Sequence, residues 1–239
     1  MPRFFCENIS KNTFSVEGED AKHIVKVLRY NNGDKIILCD MKGTDYLGEI
    51  TNADPLCVSG NILQSCPCEN EPNINLRLYM AMPKGDKSEF IVQKATELGT
   101  TEIIFMLTHR CVSRPDTKSF KKKLERYNKI AFEAAKQSQR GIIPKVRGLL
   151  SYNEALAECK DFTKILFYEH SDAPLKSLLK NSSKNIAVFI GSEGGFEENE
   201  VELAKKAGAV SASLGKRILR CETAPIASIS AIMYEKDNF

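Results

Sequence analysis

Ile186 to Glu200 reads I-A-V-F-I-G-S-E-G-G-F-E-E-N-E, and Ser213 to Ile229 reads S-L-G-K-R-I-L-R-C-E-T-A-P-I-A-S-I. Ile186 to Ile190 is a short, unbroken apolar run, the pattern of a strand buried on both faces. It stops at Gly191. Gly194 and Gly195 follow, so the loop can take backbone angles closed to other residues. Glu197 to Ala207 reads as a helix. Glu197 and Glu200 stand at capping-box spacing, acids crowd the first turn, Lys205 and Lys206 the last, and Gly208 ends it. A second strand, Ala209 to Leu214, ends at Gly215. Two parallel strands thus end in glycine-bearing loops at one edge of a sheet, the edge at which open α/β sheets bind ligands.

The loop sequences exclude the commonest ligands of that edge. G-S-E-G-G has no Gly-Lys-Ser/Thr, so it is not a phosphate-gripping P-loop, and it is not G-x-G-x-x-G, so a dinucleotide is not indicated. Glu193 also places an acid where a phosphate loop would want none. A lone Gly-Gly reads first as a tight turn. The second loop shifts that balance, because Arg217, Arg220, Glu222 and Thr223 bring more polar chemistry than a connector needs.

I-G-S-E-G-G-F followed by L-G-K-R-I-L-R-C-E-T-A resembles the paired cofactor motifs of the small-subunit (16S) ribosomal RNA uridine-N3 methyltransferases, the RsmE family of knotted SPOUT enzymes. The resemblance implies a C-terminal α/β SPOUT domain with a deep trefoil knot, preceded by a small PUA-like β-barrel. It implies S-adenosylmethionine as cofactor, held by Ile190, Gly191, Glu193, Gly194, Gly195, Leu214, Gly215, Ile218, Leu219, Thr223 and Ala224. It also implies a homodimer whose site is completed by the second subunit. Two positions depart from the family's pattern: Ser192 stands where Pro is usual, and Cys221 where Thr is usual. Both leave the backbone groups of the loops in place.

The 239 residues suffice for one large domain or two modest ones, and 42% hydrophobic residues can bury a core. A net charge of +3 is mildly basic and permits an RNA partner without demanding one. Eight cysteines in a chain of this length do not form a disulfide framework. No signal-peptide pattern is read at the start, and no apolar run approaches the ~20 residues of a membrane span. The expectation is a cytoplasmic protein with reduced thiols and no membrane partner. Cys66-Pro-Cys68 has no second Cys/His pair at ligand spacing, so these read as loop cysteines and no metal is expected.

Residues 1–71 form the first predicted domain. Ala21, Ile24, Val25 and Leu28 share a helical face with Asp20 as N-cap. Asn31 to Asp34 is a turn. Ile36 to Cys39, Tyr46 to Thr51 and Val58 to Leu63 read as the short strands of a small barrel. Arg3, Lys22, His23, Lys26 and Arg29 set basic residues near its helix. By charge alone they are as much a solvated face as an RNA site. M-P-R-F-F at Met1 to Phe5 and H-I-V-K-V-L-R at His23 to Arg29 match the family's PUA-like domain, and this implies RNA contacts for Arg3, Lys22, Lys26 and Arg29. His23 reads as a packed or capping histidine.

Cys66 to Pro72 lacks periodicity and is placed as the linker. Residues 72–239 then alternate strand and helix: Leu76 to Ala81, a helix from Asp86 to Leu98 with an Asp86/Glu89 box, Glu102 to Leu107, a long helix from Thr117 to Arg140, a helix boxed by Ser151 and Glu154, and Lys164 to Tyr168. The rhythm predicts a mainly parallel α/β sheet. P-K-G-D-K at Pro83 to Lys87, Q-K-A-T-E-L-G at Gln93 to Gly99, H-R-C-V at His109 to Val112 and E-A-A-K-Q-S-Q-R at Glu133 to Arg140 extend the resemblance over nearly the whole chain. Lys84, Lys87, Arg110 and Arg140 are read as phosphate contacts, against the alternative of ordinary surface charge.

The expected reaction is methylation of uridine N3 in small-subunit rRNA, in an assembled or assembling 30S subunit. Negative charge spreads to O2 and O4 as the N3 proton leaves, so a fixed cation there lowers the barrier. Arg220 is the candidate. Glu222 or bulk water takes the proton, with an ion pair to Arg217 or Arg220 as the plainer role for Glu222. Two rival functions are a ribose 2′-O-methyltransferase of the same fold and a non-catalytic RNA-binding assembly factor. The N-terminal module with Q-K-A-T-E-L-G argues against the first, and the polar cluster after Leu214 against the second.

Overall fold

Parallel strands buried on both faces build one of the two compact units of this computed structural model, which describes residues 1–180 and 182–238. That unit comprises residues 72–134 and 144–239; the other comprises 1–71 and 135–143.

The larger unit holds β7 (Asn75–Ala81), β8 (Glu102–Leu107), β9 (Lys145–Ser151), β10 (Thr163–Phe167), β11 (Asn185–Ile190) and β12 (Val210–Ala212). Their order is β12-β10-β11-β7-β8-β9, and every neighbouring pair is parallel. The two loops singled out in the sequence therefore follow strands separated by β10. Val188 and Phe189 are wholly buried, as the unbroken apolar run predicts. Phe189 stacks on Tyr79 with centroids 4.6 Å apart, and Tyr152 meets it edge-on at 6.5 Å. Such pairs add about 0.5–1.5 kcal/mol beyond their burial.

The connections are α2 (Lys87–Glu97), α3 (Thr117–Gln137), α4 (Tyr152–Glu158), α5 (Leu175–Lys180), α6 (Glu198–Lys206) and α7 (Thr223–Glu235). The boxes at Ser151/Glu154 and Glu197/Glu200 both form. The Asp86/Glu89 box does not: Asp86 makes no side-chain cap, and Glu89 instead receives Arg126 Nη2 at 2.6 Å. The long helix stops three residues before Arg140. Gln139 takes a left-handed φ of 59°, which a helix cannot continue. Strand β9 and helix α5 are absent from the sequence reading.

The smaller unit is one six-stranded sheet, ordered β1-β4-β5-β6-β3-β2, from β1 (Arg3–Phe5), β2 (Asn8–Ile9), β3 (Thr13–Glu17), β4 (Lys35–Cys39), β5 (Thr44–Ala53) and β6 (Cys57–Pro67). It curls as a half-barrel around Phe14, Ile24, Ile36, Leu38, Ile50 and Val58. Gly60 is obligatory there, because a Cβ would sit 2.0 Å from the Glu49 carbonyl oxygen. The sequence reading lacks β1, β2 and β3. Its helix begins at α1 (Gly18–Lys22), with Glu17 at the cap position instead of Asp20, and continues as a π-helical turn over His23–Val27. Asp20 Oδ1 lies 2.7 Å from Lys136 Nζ. Cys66 and Pro67 belong to β6, so the expected linker starts inside a strand; Cys66 is an exposed strand residue, while Cys68 lies in the loop after it and is buried.

Residues 135–143 close this unit through ion pairs. Arg140 Nη2 lies 2.7 Å from Glu71 Oε2, and Glu71 Oε1 accepts from Gly141 N at 2.8 Å and Ile142 N at 3.0 Å. Arg3 grips Asp45 through Nη2 at 2.9 Å and Nε at 3.1 Å, and donates to the Arg140 carbonyl at 3.0 Å.

Candidate functional site

Three strand ends of the larger unit open on one cavity of roughly 1030 Å³. Its lining comes from Phe167 to Lys176 after β10, Ile190 to Phe196 after β11, and Ser213 to Cys221 after β12. This is the carboxyl edge of a parallel sheet, where an α/β fold binds its ligands.

The glycines after β11 answer first to the loop's own packing. A Cβ on Gly191 would sit 3.0 Å from the Gly195 backbone, and one on Gly194 would sit 3.0 Å from Arg110 Cβ. Gly195 has φ +68°, and a Cβ on it would meet Glu169 Oε1 at 3.1 Å. The loop is thus clamped between Arg110, whose Nη1 donates to the Gly194 carbonyl at 2.9 Å, and Glu169. Phe196, 1% exposed and 5.7 Å from Tyr152, pins its far end. Ser192 is buried, with its hydroxyl 3.4 Å from the Arg110 carbonyl. His109 fixes the start of α6: its backbone N–H donates to Glu200 at 2.8 Å and its Nδ1 stands 2.8 Å from Glu197 Oε1.

The loop after β12 is more open. Gly215 has φ +105°, and a Cβ there would meet no protein atom within 4 Å. Ile218 is 88% exposed. Among the described residues, the backbone N–H groups of Lys216 to Leu219 donate to no protein acceptor. The Arg220 carbonyl accepts from Thr223 and Ala224, both at 2.9 Å, and starts α7. Pro225 then falls in the first helical turn, where its missing N–H does no harm.

Lys87 ties the two loops together. Its Nζ lies 2.9 Å from Glu193 Oε1, 3.2 Å from Glu222 Oε2 and 3.6 Å from Cys221 Sγ. Glu193 also accepts the Lys84 N–H at 3.1 Å. Burial works against the Glu193 charge, yet the Lys87 hydrogen bond and the N–H groups of Glu193 and Lys84 outweigh it and hold this acid at about 2. Glu222 is likewise held below its ordinary value: burial opposes its charge, and its own backbone N–H, Cys221 and Lys87 prevail. Burial, then the Glu222 hydrogen bond and the Glu193 charge, push the Cys221 thiol up to about 12.

Of the residues expected to hold a cofactor, Ile190, Gly191, Glu193, Gly194, Gly195, Leu214, Gly215, Ile218, Leu219 and Ala224 line the cavity, and so does Arg220. Thr223 and Glu222 stand beside it without lining it. Glu222 pairs with Lys87, which corrects the expected pairing with Arg217 or Arg220. The phosphate-contact residues divide. Arg140 is 2% exposed on Glu71 and Arg3 is held by Asp45, so both are structural in this fold, contrary to expectation. Lys87 is engaged by its acids and Arg110 by the loop. Lys22 is exposed and paired with Glu19, while Lys26, Arg29 and Lys84 are exposed. Sequence reasoning missed Glu169 and the rest of the 167–176 wall. Its signal was positional, the residues directly after a parallel strand, but no glycine marked it.

Known proteins carry the same pattern. The RNA methyltransferase domain family matches residues 69–233, and the RNA methyltransferase PUA domain family matches 16–58. Ribosomal RNA small subunit methyltransferase E of Bacillus subtilis is 38% identical, over 99% of this chain and 98% of that one. The protein of the same name from Mesomycoplasma hyopneumoniae is 33% identical, over 95% and 96%. The crystal structure of the Neisseria gonorrhoeae protein of that name, bound to S-adenosylmethionine, superposes with a TM-score of 0.83 at 32% identity, covering 98% of this chain and 97% of that one. Similarity that runs through both units and both glycine loops leaves one conclusion: the chain belongs to the ribosomal RNA small subunit methyltransferase E family.

Proposed function

We propose that the protein transfers the methyl group of S-adenosylmethionine to N3 of a uridine in small-subunit ribosomal RNA. The cavity carries the reading: two glycine loops at parallel strand ends, with Arg220 among the lining residues. The residues present suit this cofactor. Ile190, Leu214 and Leu219 give apolar surface for a purine, the free N–H groups after Gly215 suit its ring nitrogens, and Gly215 leaves the wall open. The bound Neisseria gonorrhoeae relative supports the choice. When bound, the cofactor supplies a methyl group on a positively charged sulfur.

The chain's own task is orientation and charge. Holding acceptor and donor in line replaces a bimolecular encounter. Arg220 is exposed, and its side chain has no protein partner among the described residues, so it is free to face the O4 or O2 that gains charge as N3 loses its proton. Glu193 and Glu222 are poor proton acceptors, because Lys87 binds the charged form of each. The Cys221 thiol stays protonated at neutral pH. The N3 proton is thus left to solvent or to Glu169 and Asp172, the other carboxylates of the lining.

The same reading includes a trefoil knot, cytoplasmic action on the 30S subunit, and a homodimer. The homodimer draws no support from α7, whose Ile229, Ile232 and Met233 are buried within the unit while the helix packs on α2 and β11. Exposed Ile218 supports it. No described helix is long and apolar enough to cross a membrane. Incubating the purified protein with cofactor and unmodified small-subunit rRNA, then analysing nucleosides, tests the reaction. It should yield N3-methyluridine; methyl on a ribose O2′, or none, would overturn the reading.

A further inference from the structure

The first half of helix α3 is charged against its dipole. Thr117 to Lys129 reads T-K-S-F-K-K-K-L-E-R-Y-N-K, with five lysines and one arginine against the single acid Glu125. No acid lies in its first turn. The helix N-terminus carries the positive end of the macrodipole, so cations there work against helix stability, and like charges three or four residues apart add to the penalty. Helix α6 shows the opposite arrangement, with Glu198 and Glu200 in its first turn and Lys205 and Lys206 in its last.

The lysines in the first half of α3 are also uncompensated, whereas Lys136 near its end is paired with Asp20. On α1, α2 and α6, Lys22, Lys94 and Lys205 each hold a glutamate three positions away. Among the described residues, Lys118, Lys121, Lys122, Lys123 and Lys129 hold no carboxylate within 4.0 Å, and all five are exposed. Between Thr117 and Lys129, Arg126 alone is paired among the described residues, with Glu89. Asp116, the nearest acid before the helix, is committed to capping it through Ser119 N at 2.9 Å.

Geometry gathers three of these charges on one side. At 3.6 residues per turn, Lys118, Lys122 and Lys129 fall within about 40° of arc and span about 16 Å. Phe120 and Tyr127, 4% and 3% exposed, lie on the opposite face. The apolar side of α3 is thus fully used by the core. That disfavours an anionic membrane, where a surface helix must insert apolar side chains. Glu125 falls on the same arc but has no cation within 4.0 Å among the described residues, and three lysines against that one acid leave the face net positive, which suits a phosphodiester backbone.

We propose that the solvent face of α3, centred on Lys118, Lys122 and Lys129, is an RNA-phosphate-binding surface of the methyltransferase unit, separate from the residues that line the cofactor cavity. It rests on the ribosomal-RNA reading above, and the surface would position RNA without reading its sequence.

The test is the triple variant Lys118→Gln/Lys122→Gln/Lys129→Gln of the full chain. Its affinity for in vitro transcribed small-subunit rRNA is measured from 50 to 300 mM salt. Each phosphate contact contributes about 0.7–0.9 to the slope of log Kd against log salt, so the slope should fall by about 2 and affinity at low salt by tenfold or more. Cofactor affinity, by calorimetry, should stay within twofold. The triple Lys→Arg variant should restore the slope. An unchanged slope in the Gln variant overturns the proposal. So does an altered affinity for vesicles of 30% phosphatidylserine with RNA binding intact, which would assign the ridge to a membrane. A wild-type protein that moves no methyl to this RNA, yet loses slope in the Gln variant, would keep the surface and overturn the reaction instead.

Discussion

The Lys87 ammonium stands 2.9 Å from Oε1 of Glu193. Glu193 sits in the loop after β11, and the same ammonium reaches Glu222 beside the loop after β12, at 3.2 Å. One cation therefore sets the spacing of both walls of the cavity. Lys87→Met removes that link and leaves two acids facing each other. Cofactor affinity should fall by about tenfold or more, since the freed loops must be reordered on binding. Unchanged affinity by calorimetry would show that the loops hold their spacing without Lys87.

The same pair gives a pH signature. Glu193 is held from an ordinary 4.5 down to about 2. A depressed folded-state value means that the charged form stabilises the fold above pH 4.5, and that this contribution is lost as pH falls from there through about 2. NMR titration of the Glu193 carboxyl carbon should show no transition between pH 6 and 4. In Lys87→Met the midpoint should move up toward 4.5, and a midpoint near 2 in that variant would assign the depression to the backbone donors alone.

Arg220→Ala should leave cofactor affinity nearly unchanged and slow single-turnover methylation about 10²–10³-fold, because the charge it meets exists mainly in the transition state. Raising the pH should recover part of the rate, as more uridine is already deprotonated. If Arg220 only shapes the loop, cofactor binding and methylation fall together and alkaline pH does not help.

Gly195→Ala tests the clamp at the other loop. A Cβ there meets the Glu169 carboxylate at 3.1 Å and must also accept φ +68°. The left-handed angle alone costs about 1–2 kcal/mol. Cofactor affinity should drop, and Glu169→Ala in the same chain should relieve the contact but not the angle. Full recovery in the double variant would make the carboxylate, not the backbone, the reason for glycine.

Glu71→Ala leaves the Arg140 guanidinium, 2% exposed, without its carboxylate. Removing one member of a buried pair destabilises by about 3–5 kcal/mol. Urea unfolding should show that loss in the transition of the smaller unit. Glu71→Gln should retain part of the stability, since an amide oxygen still accepts from Gly141 and Ile142.

Strand and helix order in the larger unit was legible where periodicity was strong. Ile186 to Ile190 announced β11 by its apolar run, and Glu197/Glu200 announced the cap of α6. The ion pairs were not legible. Arg3 and Arg140 look in sequence like any exposed arginine, and only the fold brings Asp45 and Glu71 against them. The ion pairs of Lys87 were hidden for the same reason: its partners lie 106 and 135 residues away in sequence, beyond any local pattern. Strands β1 to β3 went unread because they are two to five residues long and take their register from β4 and β6, not from alternation of their own. At the cavity the glycine loops were found and the Glu169 wall was not, since nothing in Y-E-H-S-D departs from an ordinary loop.

The half-barrel is not a simple N-terminal cassette. Its last layer, residues 135–143, is supplied from beyond the first two strands of the catalytic sheet. Exchanging this module between relatives, as one might to transfer RNA preference, means grafting two separate stretches at once: Met1 to Glu71, and the turn that carries Arg140. A graft of the first alone would pair a foreign Glu71 position with the resident Arg140. Chimaeras cut at residue 71 should therefore be poorly soluble, and those that also carry 135–143 should not.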